Sequence, residues 1–249
     1  MASITNIQRL AAKLGLHHLA KQNFRIREEG IPNLEFLELV LSKELELREN
    51  KRTETLREKA RLPEEKSLDT YNLDYQKGIS KWQIDKLAEI GWVDDKYSLL
   101  LMGEAGTGKT HLAIGIAMKA MEKGHKTFYT ILDNLLYMLK TKDTIVKSKF
   151  RLKYIDECKL LVLDEVGYLS LSAEDAKTIY AFIDNHNKKI SLIIITNREF
   201  ESWKDLFYDE MIATTLLDRV IEKCQVIKLT GESYRFLHNK KIYAKQNTK

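Results

Sequence analysis

Eight consecutive residues, Gly103-Glu104-Ala105-Gly106-Thr107-Gly108-Lys109-Thr110, carry the spacing G-x-x-x-x-G-K-[ST]. Glycines at Gly103, Gly106 and Gly108 let the backbone curl so that successive N–H groups converge on a chain of phosphates. A helix that starts where the loop ends adds its positive pole at the same point. A lysine at the seventh position reaches β- and γ-phosphates, and a hydroxyl at the eighth can ligate Mg²⁺. The chemistry implied is ATP binding by residues 103–111, His111 included, with Lys109 on phosphate and Thr110 on the metal. A glycine-rich turn that holds no nucleotide is the bland alternative. The apolar run before the loop and the helical pattern after it favour the first reading.

A second group lies at Leu160-Leu161-Val162-Leu163-Asp164-Glu165. Four apolar residues and then an acid put Asp164 at the carboxyl end of a buried strand, where a carboxylate can complete a Mg²⁺ site. Glu165 beside it can orient and deprotonate an attacking water. An Asp-Glu pair is a weak pattern alone; joined to the glycine loop it implies hydrolysis. Asn197 follows SLIIIT. An asparagine there is commonly a turn former, and only the order of elements offers it a second role between γ-phosphate and Glu165. Arg219, in LLDRV, and Arg235, in GESYR, could each neutralise charge on a γ-phosphate. By residue type alone each reads more readily as a surface arginine.

Such residues need a scaffold that gathers several strand ends. Strand patterns occupy Tyr97–Met102, Lys126–Thr130, Leu160–Asp164, Ser191–Thr196 and Val226–Leu229. Helical periodicity fills the intervals at Lys109–Lys123, Asn134–Leu139, Val146–Tyr154, Ala173–Asn187 and Glu210–Lys223. Alternation of this kind implies an α/β protein, a parallel sheet between two helical layers. The first sixty or so residues read as helical instead. Ile4, Ile7, Leu10, Ala11 and Leu14 share one helix face, Gly30-Ile31-Pro32 breaks the chain, and Asn33 can cap a second, longer helix striped by Leu34, Leu37, Leu41 and Leu45. Beyond Arg48 that helix turns polar, with Leu56 nearly alone, so its second half is expected to find little core. Leu62–Gln76 reads as a linker.

Composition narrows the class. Of 249 residues, 44% are hydrophobic and 31% charged, without the signature of a disordered chain. No apolar run approaches a membrane span and the start lacks a secretory signal, so a cytoplasmic protein with no membrane partner is expected. Cys158 and Cys224 lack metal-ligand spacing, which speaks against zinc and for two reduced thiols. Five cations and no acids lie between Ser233 and Lys249; removing them from the 41 Lys and Arg leaves 36, against 36 Asp and Glu. The excess charge is thus a C-terminal feature, suited to a phosphate backbone or to simple solvation.

In order and spacing, GEAGTGKTHLA, LLVLDEVGYLSLS, SLIIITN, LLDRV and GESYR resemble the IstB-like transposition helper ATPases of the AAA+ class, relatives of DnaC-type helicase loaders. The resemblance extends through LPEEKSLDTYNLDYQ and LAEIGWVDDKYSLLLMGEAG and covers nearly the whole chain. It implies a three-layer core with a five-stranded parallel sheet ordered 5-1-4-3-2, behind a small all-α domain. The expected organisation is residues 1–62 for DNA binding or assembly, 63–77 as linker and 78–249 as ATPase domain with a basic tail. Lys109 and Thr110 would be the Walker A residues, Asp164 and Glu165 Walker B, and Asn197 sensor 1. Arg219 would be a finger reaching a neighbour's ATP, and Arg235 a sensor 2 arginine on its own. Leu68 and Tyr71 would help form the adenine pocket. Only twenty residues follow Leu229, which the resemblance reads as a truncated lid. Family members assemble with ATP on double-stranded DNA as homo-oligomers and activate a partner transposase. A helicase loader is the alternative, and a nucleotide-binding module without turnover is a third reading that intact Lys109, Asp164 and Glu165 oppose.

Overall fold

The computed structural model describes residues 9, 11–16, 33–168, 171–199, 202–203, 211, 214–215, 218, 221–234 and 236. In chain order the elements are α1 (Asn33–Ala60), a 3-10 turn (Leu68–Thr70), α2 (Lys81–Ala88), α3 (Gly91–Asp94), β1 (Ser98–Met102), α4 (Lys109–Glu122), β2 (Thr127–Ile131), α5 (Leu132–Thr141), α6 (Val146–Asp156), β3 (Leu160–Val166), α7 (Ala173–His186), β4 (Ser191–Thr196) and β5 (Cys224–Lys228). Met211, Thr214, Thr215, Asp218 and Ile221, between β4 and β5, are helical. The chain divides into two compact units, residues 1–55 and 56–249. In the first, the Arg48 guanidinium bonds both the Glu44 carboxylate and the Gly15 carbonyl.

In the second unit the five strands form one sheet ordered β2-β3-β4-β1-β5, every neighbouring pair parallel. This is the 5-1-4-3-2 order of the P-loop AAA+ core. The inner strands β1, β3 and β4 are buried on both faces, apart from the exposed Glu165, which explains why their sequences are continuous apolar runs rather than alternating ones. Alternate residues still go to opposite sides. Leu100, Met102, Leu161, Leu163, Leu192 and Ile194 pack with Leu135 and Met138 of α5 and Ile179 and Ile183 of α7. Leu99, Leu101, Leu160, Val162, Ile193 and Ile195 pack instead with Leu112, Ala113, Ile116 and Ala117 of α4 and Ile84 and Leu87 of α2. The helix after β1 and the helix after β3 therefore cover opposite faces. In open parallel sheets ligands gather at the carboxyl ends of the strands, near such a change of side.

Three features depart from expectation. The segment 81–94 folds as two helices, α2 and α3, that periodicity did not flag. Strand bounds shift by a few residues: β3 continues past the acidic pair to Val166, and β5 starts at Cys224 rather than Val226. The polar end of α1 does find a core, for Leu56 and Ala60 are buried against Ile114, Met118 and Met121 of α4. One apolar residue per turn suffices there because the facing helix supplies the rest. No helix among the described residues is long and apolar enough to cross a membrane.

Candidate functional site

The loop from Gly103 to Gly108 joins β1 to α4, and its glycines hold φ of +145°, +83° and +88° at Gly103, Gly106 and Gly108. Space enforces the same choice. A Cβ on Gly103 would lie 2.1 Å from the Leu229 carbonyl oxygen, and one on Gly106 2.1 Å from Ser233 Oγ. The loop is tied internally by the Thr107 hydroxyl donating to the Glu104 carbonyl (2.8 Å). Outside, the Tyr234 N–H donates to the Gly106 carbonyl (3.1 Å). Glu104 and Ala105 form the exposed tip. Gly108 precedes α4 without a side-chain cap, so the amides of the first turn face the loop mouth, an anion-binding geometry. Lys109 is buried, and its ammonium donates to the carbonyls of Gly103 (2.6 Å) and Glu104 (2.7 Å).

Thr110 and Asp164 meet. The Thr110 hydroxyl donates to Asp164 Oδ2 at 2.9 Å, and so does the Tyr129 hydroxyl, also at 2.9 Å; the Glu165 N–H donates to Oδ1 at 2.7 Å. A hydroxyl and a carboxylate in contact suit Mg²⁺, a hard cation that takes one or two protein oxygens and fills its remaining positions from water and phosphate. No group of three or more His, Cys, Asp or Glu among the described residues could hold a metal alone.

Between Leu163 and Val166 strand β3 carries one residue more than β4: Leu163 faces Ile194, whereas Val166 faces Thr196. This bulge puts Glu165 at φ +58° with its side chain exposed between buried neighbours. Bulges of this kind re-aim one side chain beside a site. Asn197 is exposed at the carboxyl end of β4, which lies between β1, leading into the glycine loop, and β3, bearing the acids. Next to it, Arg198 Nε donates to the Gly167 carbonyl and the Arg198 N–H to Thr196 Oγ1. Arg219 and Arg235 lie outside the described residues.

The segment before α2 closes the other side. Leu68 fits against Gly115, where a Cβ would approach its Cδ2 to 2.5 Å. His111 holds this segment through Nε2, which lies 2.9 Å from the Ser67 carbonyl, and its ring meets that of Tyr71 edge-on at 5.3 Å. Tyr71 is buried beside Gly108, and burial pushes its phenol up to about 12. Its hydroxyl and the Gln76 side-chain oxygen are buried without a partner. Buried polar atoms rarely stand so. A cavity of about 570 Å³ opens here, lined by Tyr71, Gln76, Gly108, Lys109, Thr110, His111 and Tyr234 among others. Tyr71 and His111 thus line the cavity together with the glycine loop, whereas Leu68 packs on α4 at Gly115 and does not line it. Sequence reasoning missed Gln76, Tyr129, Arg198 and Tyr234. Both cysteines are free, and burial raises each thiol to about 12.

The IstB-like ATP binding protein family matches residues 9–242. The chain belongs to that family. Among its relatives, an IS21-like insertion-sequence protein of Bacteroides fragilis is 33% identical over 222 residues, covering 89% of this chain and 84% of that one. The insertion sequence IS232 protein of Bacillus thuringiensis subsp. berliner is 32% identical over 244 residues, covering 98% and 96%. The fold is similar to the crystal structure of DnaI, with a TM-score of 0.54 and 23% identity over 73% of this chain and 98% of that one. At that identity the likeness speaks of the AAA+ architecture alone.

Proposed function

We propose that this IstB-like protein is an ATPase that assembles on double-stranded DNA and activates a partner transposase. The observation that carries the reading is the 2.9 Å bond from Thr110 to Asp164, which joins two motifs 54 residues apart at the mouth of one glycine loop. In this reading the loop amides and Lys109 grip the β- and γ-phosphates. Tyr71 and Gln76, whose orphaned oxygens flank Gly108, face the base. Thr110 and Asp164 would hold Mg²⁺, which when bound neutralises charge on the phosphate oxygens. Glu165, turned outward by its bulge, takes a proton from the attacking water, and Asn197 holds the γ-phosphate side of that water. Arg219 serves a neighbouring subunit's nucleotide and Arg235 its own, so that ATP sites lie between subunits.

DNA binding draws support from α6, which carries Lys147, Lys149, Arg151 and Lys153 against one acid, Asp156. Lys147, Lys149 and Lys153 are exposed, as are Val146 and Phe150. The polar end of α1, part of the 1–62 segment expected to meet DNA, mixes charge signs (ENKRTETLREKA) and suits a phosphate backbone less. The basic tail beyond residue 236 lies outside the described residues. A transposase partner is supported by kinship with insertion-sequence proteins, which favours this reading over a helicase loader.

Glu165→Gln tests the central claim. It keeps shape and loses the base, so ATP binding is expected to persist while steady-state hydrolysis falls by about 10²-fold or more, leaving the protein retained on duplex DNA. Wild-type turnover in this variant would remove Glu165 from the mechanism.

A further inference from the structure

Tyr129 has no place in the motifs, yet its hydroxyl reaches the centre of the site. It stands on β2 opposite Val162, and two residues on, Ile131 stands opposite Asp164. From there the Tyr129 hydroxyl donates to Asp164 Oδ2 at 2.9 Å, on the same oxygen that accepts Thr110. A carboxylate offers about four acceptor positions, two on each oxygen. Oδ2 is filled by the two hydroxyls, and Oδ1 accepts the Glu165 N–H. A single open position remains, on Oδ1, and its direction is fixed by three donors from three different elements: α4, β2 and the β3 bulge.

Resting on the nucleotide reading above, we infer that Tyr129 is a positioning residue: it locks the Asp164 carboxylate in the one orientation that serves a divalent cation. Hydrogen-bond partners of metal-binding carboxylates are worth about 10–100-fold in metal affinity. Thr110 alone, on a side chain that must itself turn toward the cation, cannot fix the carboxylate plane; the rigid phenol on a central-layer strand can.

The test compares full-length wild type with Tyr129→Phe, which deletes one oxygen. A fluorescent ATP analogue is bound first in EDTA and then across a Mg²⁺ titration. Expected are unchanged affinity in EDTA and a Mg²⁺ midpoint raised roughly tenfold. An unmoved Mg²⁺ midpoint overturns the inference, as does an equal loss of affinity with and without Mg²⁺, which would mark a merely structural role. If wild type binds no nucleotide at all, the ATP reading falls and this inference with it, an outcome distinct from an unmoved midpoint. Should the phenylalanine variant melt early, the pair is read from denaturant unfolding instead. Tyr129→Phe and Asp164→Asn are then expected to be non-additive, and additive losses overturn the coupling.

Discussion

At Glu165 the backbone holds φ at +58°, where the Cβ of an L-residue crowds a carbonyl at a cost of roughly 1–2 kcal/mol. The bulge between Leu163 and Val166 imposes that turn, so strain is stored where a side chain must be aimed. Alanine and glycine at this position remove the same carboxylate, and comparing them isolates the backbone. Glu165→Gly is expected to exceed Glu165→Ala in stability by about 0.5–1 kcal/mol, after allowing for the greater freedom of unfolded glycine. Urea unfolding of the two variants measures it, and an alanine variant at least as stable would mean the left-handed turn does not exist. Lys109, Thr110 and Asp164 were legible in the sequence because each sits at a fixed offset from a glycine or a strand end. The strain at Glu165 was not, since a bulge depends on the register between β3 and β4, which no local pattern records. Tyr129 was hidden for a similar reason. In TFYTI it is indistinguishable from a core aromatic until β2 is known to lie beside β3.

Among elements, the inner strands were the most legible, because burial on both faces writes them as apolar runs such as SLLLM and SLIIIT, whereas the edge strands TFYTI and CQVIK are not written so. Helix α2 was the least legible. Its eight residues bury only Ile84 and Leu87, too few for a period to stand out. Its start nevertheless carries a readable signal. Ser80 Oγ accepts the Gln83 N–H at 3.2 Å and Gln83 Oε1 accepts the Ser80 N–H at 2.8 Å, a reciprocal capping box. Because α2 helps cover the face that also carries α4, fraying its first turn should be felt by the whole unit. Ser80→Ala is expected to cost about 1 kcal/mol, a fall of about 2–4 °C in melting temperature for a unit of this size. Ser80→Asp should recover most of it. Identical melts for serine and alanine would show that tertiary packing, not the cap, holds the helix. The end of α1 teaches the converse lesson: a polar stretch with one leucine looked unpartnered only because Ile114, Met118 and Met121 lie on a helix more than fifty residues away.

For the molecule as a whole, net charge of +5 located in the tail suggested one DNA surface, and we propose a second on the cations of α6. The two can be separated by counting phosphates. For duplex DNA the slope of log K against log salt is about −0.9 per phosphate neutralised. Replacing Lys147, Lys149 and Lys153 together by glutamine is expected to weaken binding at every sequence tested and to flatten that slope by about 2–3. None of the three lines the nucleotide cavity, so ATP turnover without DNA should be unchanged, which separates lost contact from lost folding. Exposed Val146 and Phe150 on the same helix bear no charge and should leave the slope alone when replaced by alanine. A triple variant with the wild-type slope, alongside a steep loss on removing residues 240–249, would transfer the DNA surface from α6 to the tail. It would also mean that the charge excess already visible in the linear sequence, rather than its distribution on the fold, governs where DNA lies.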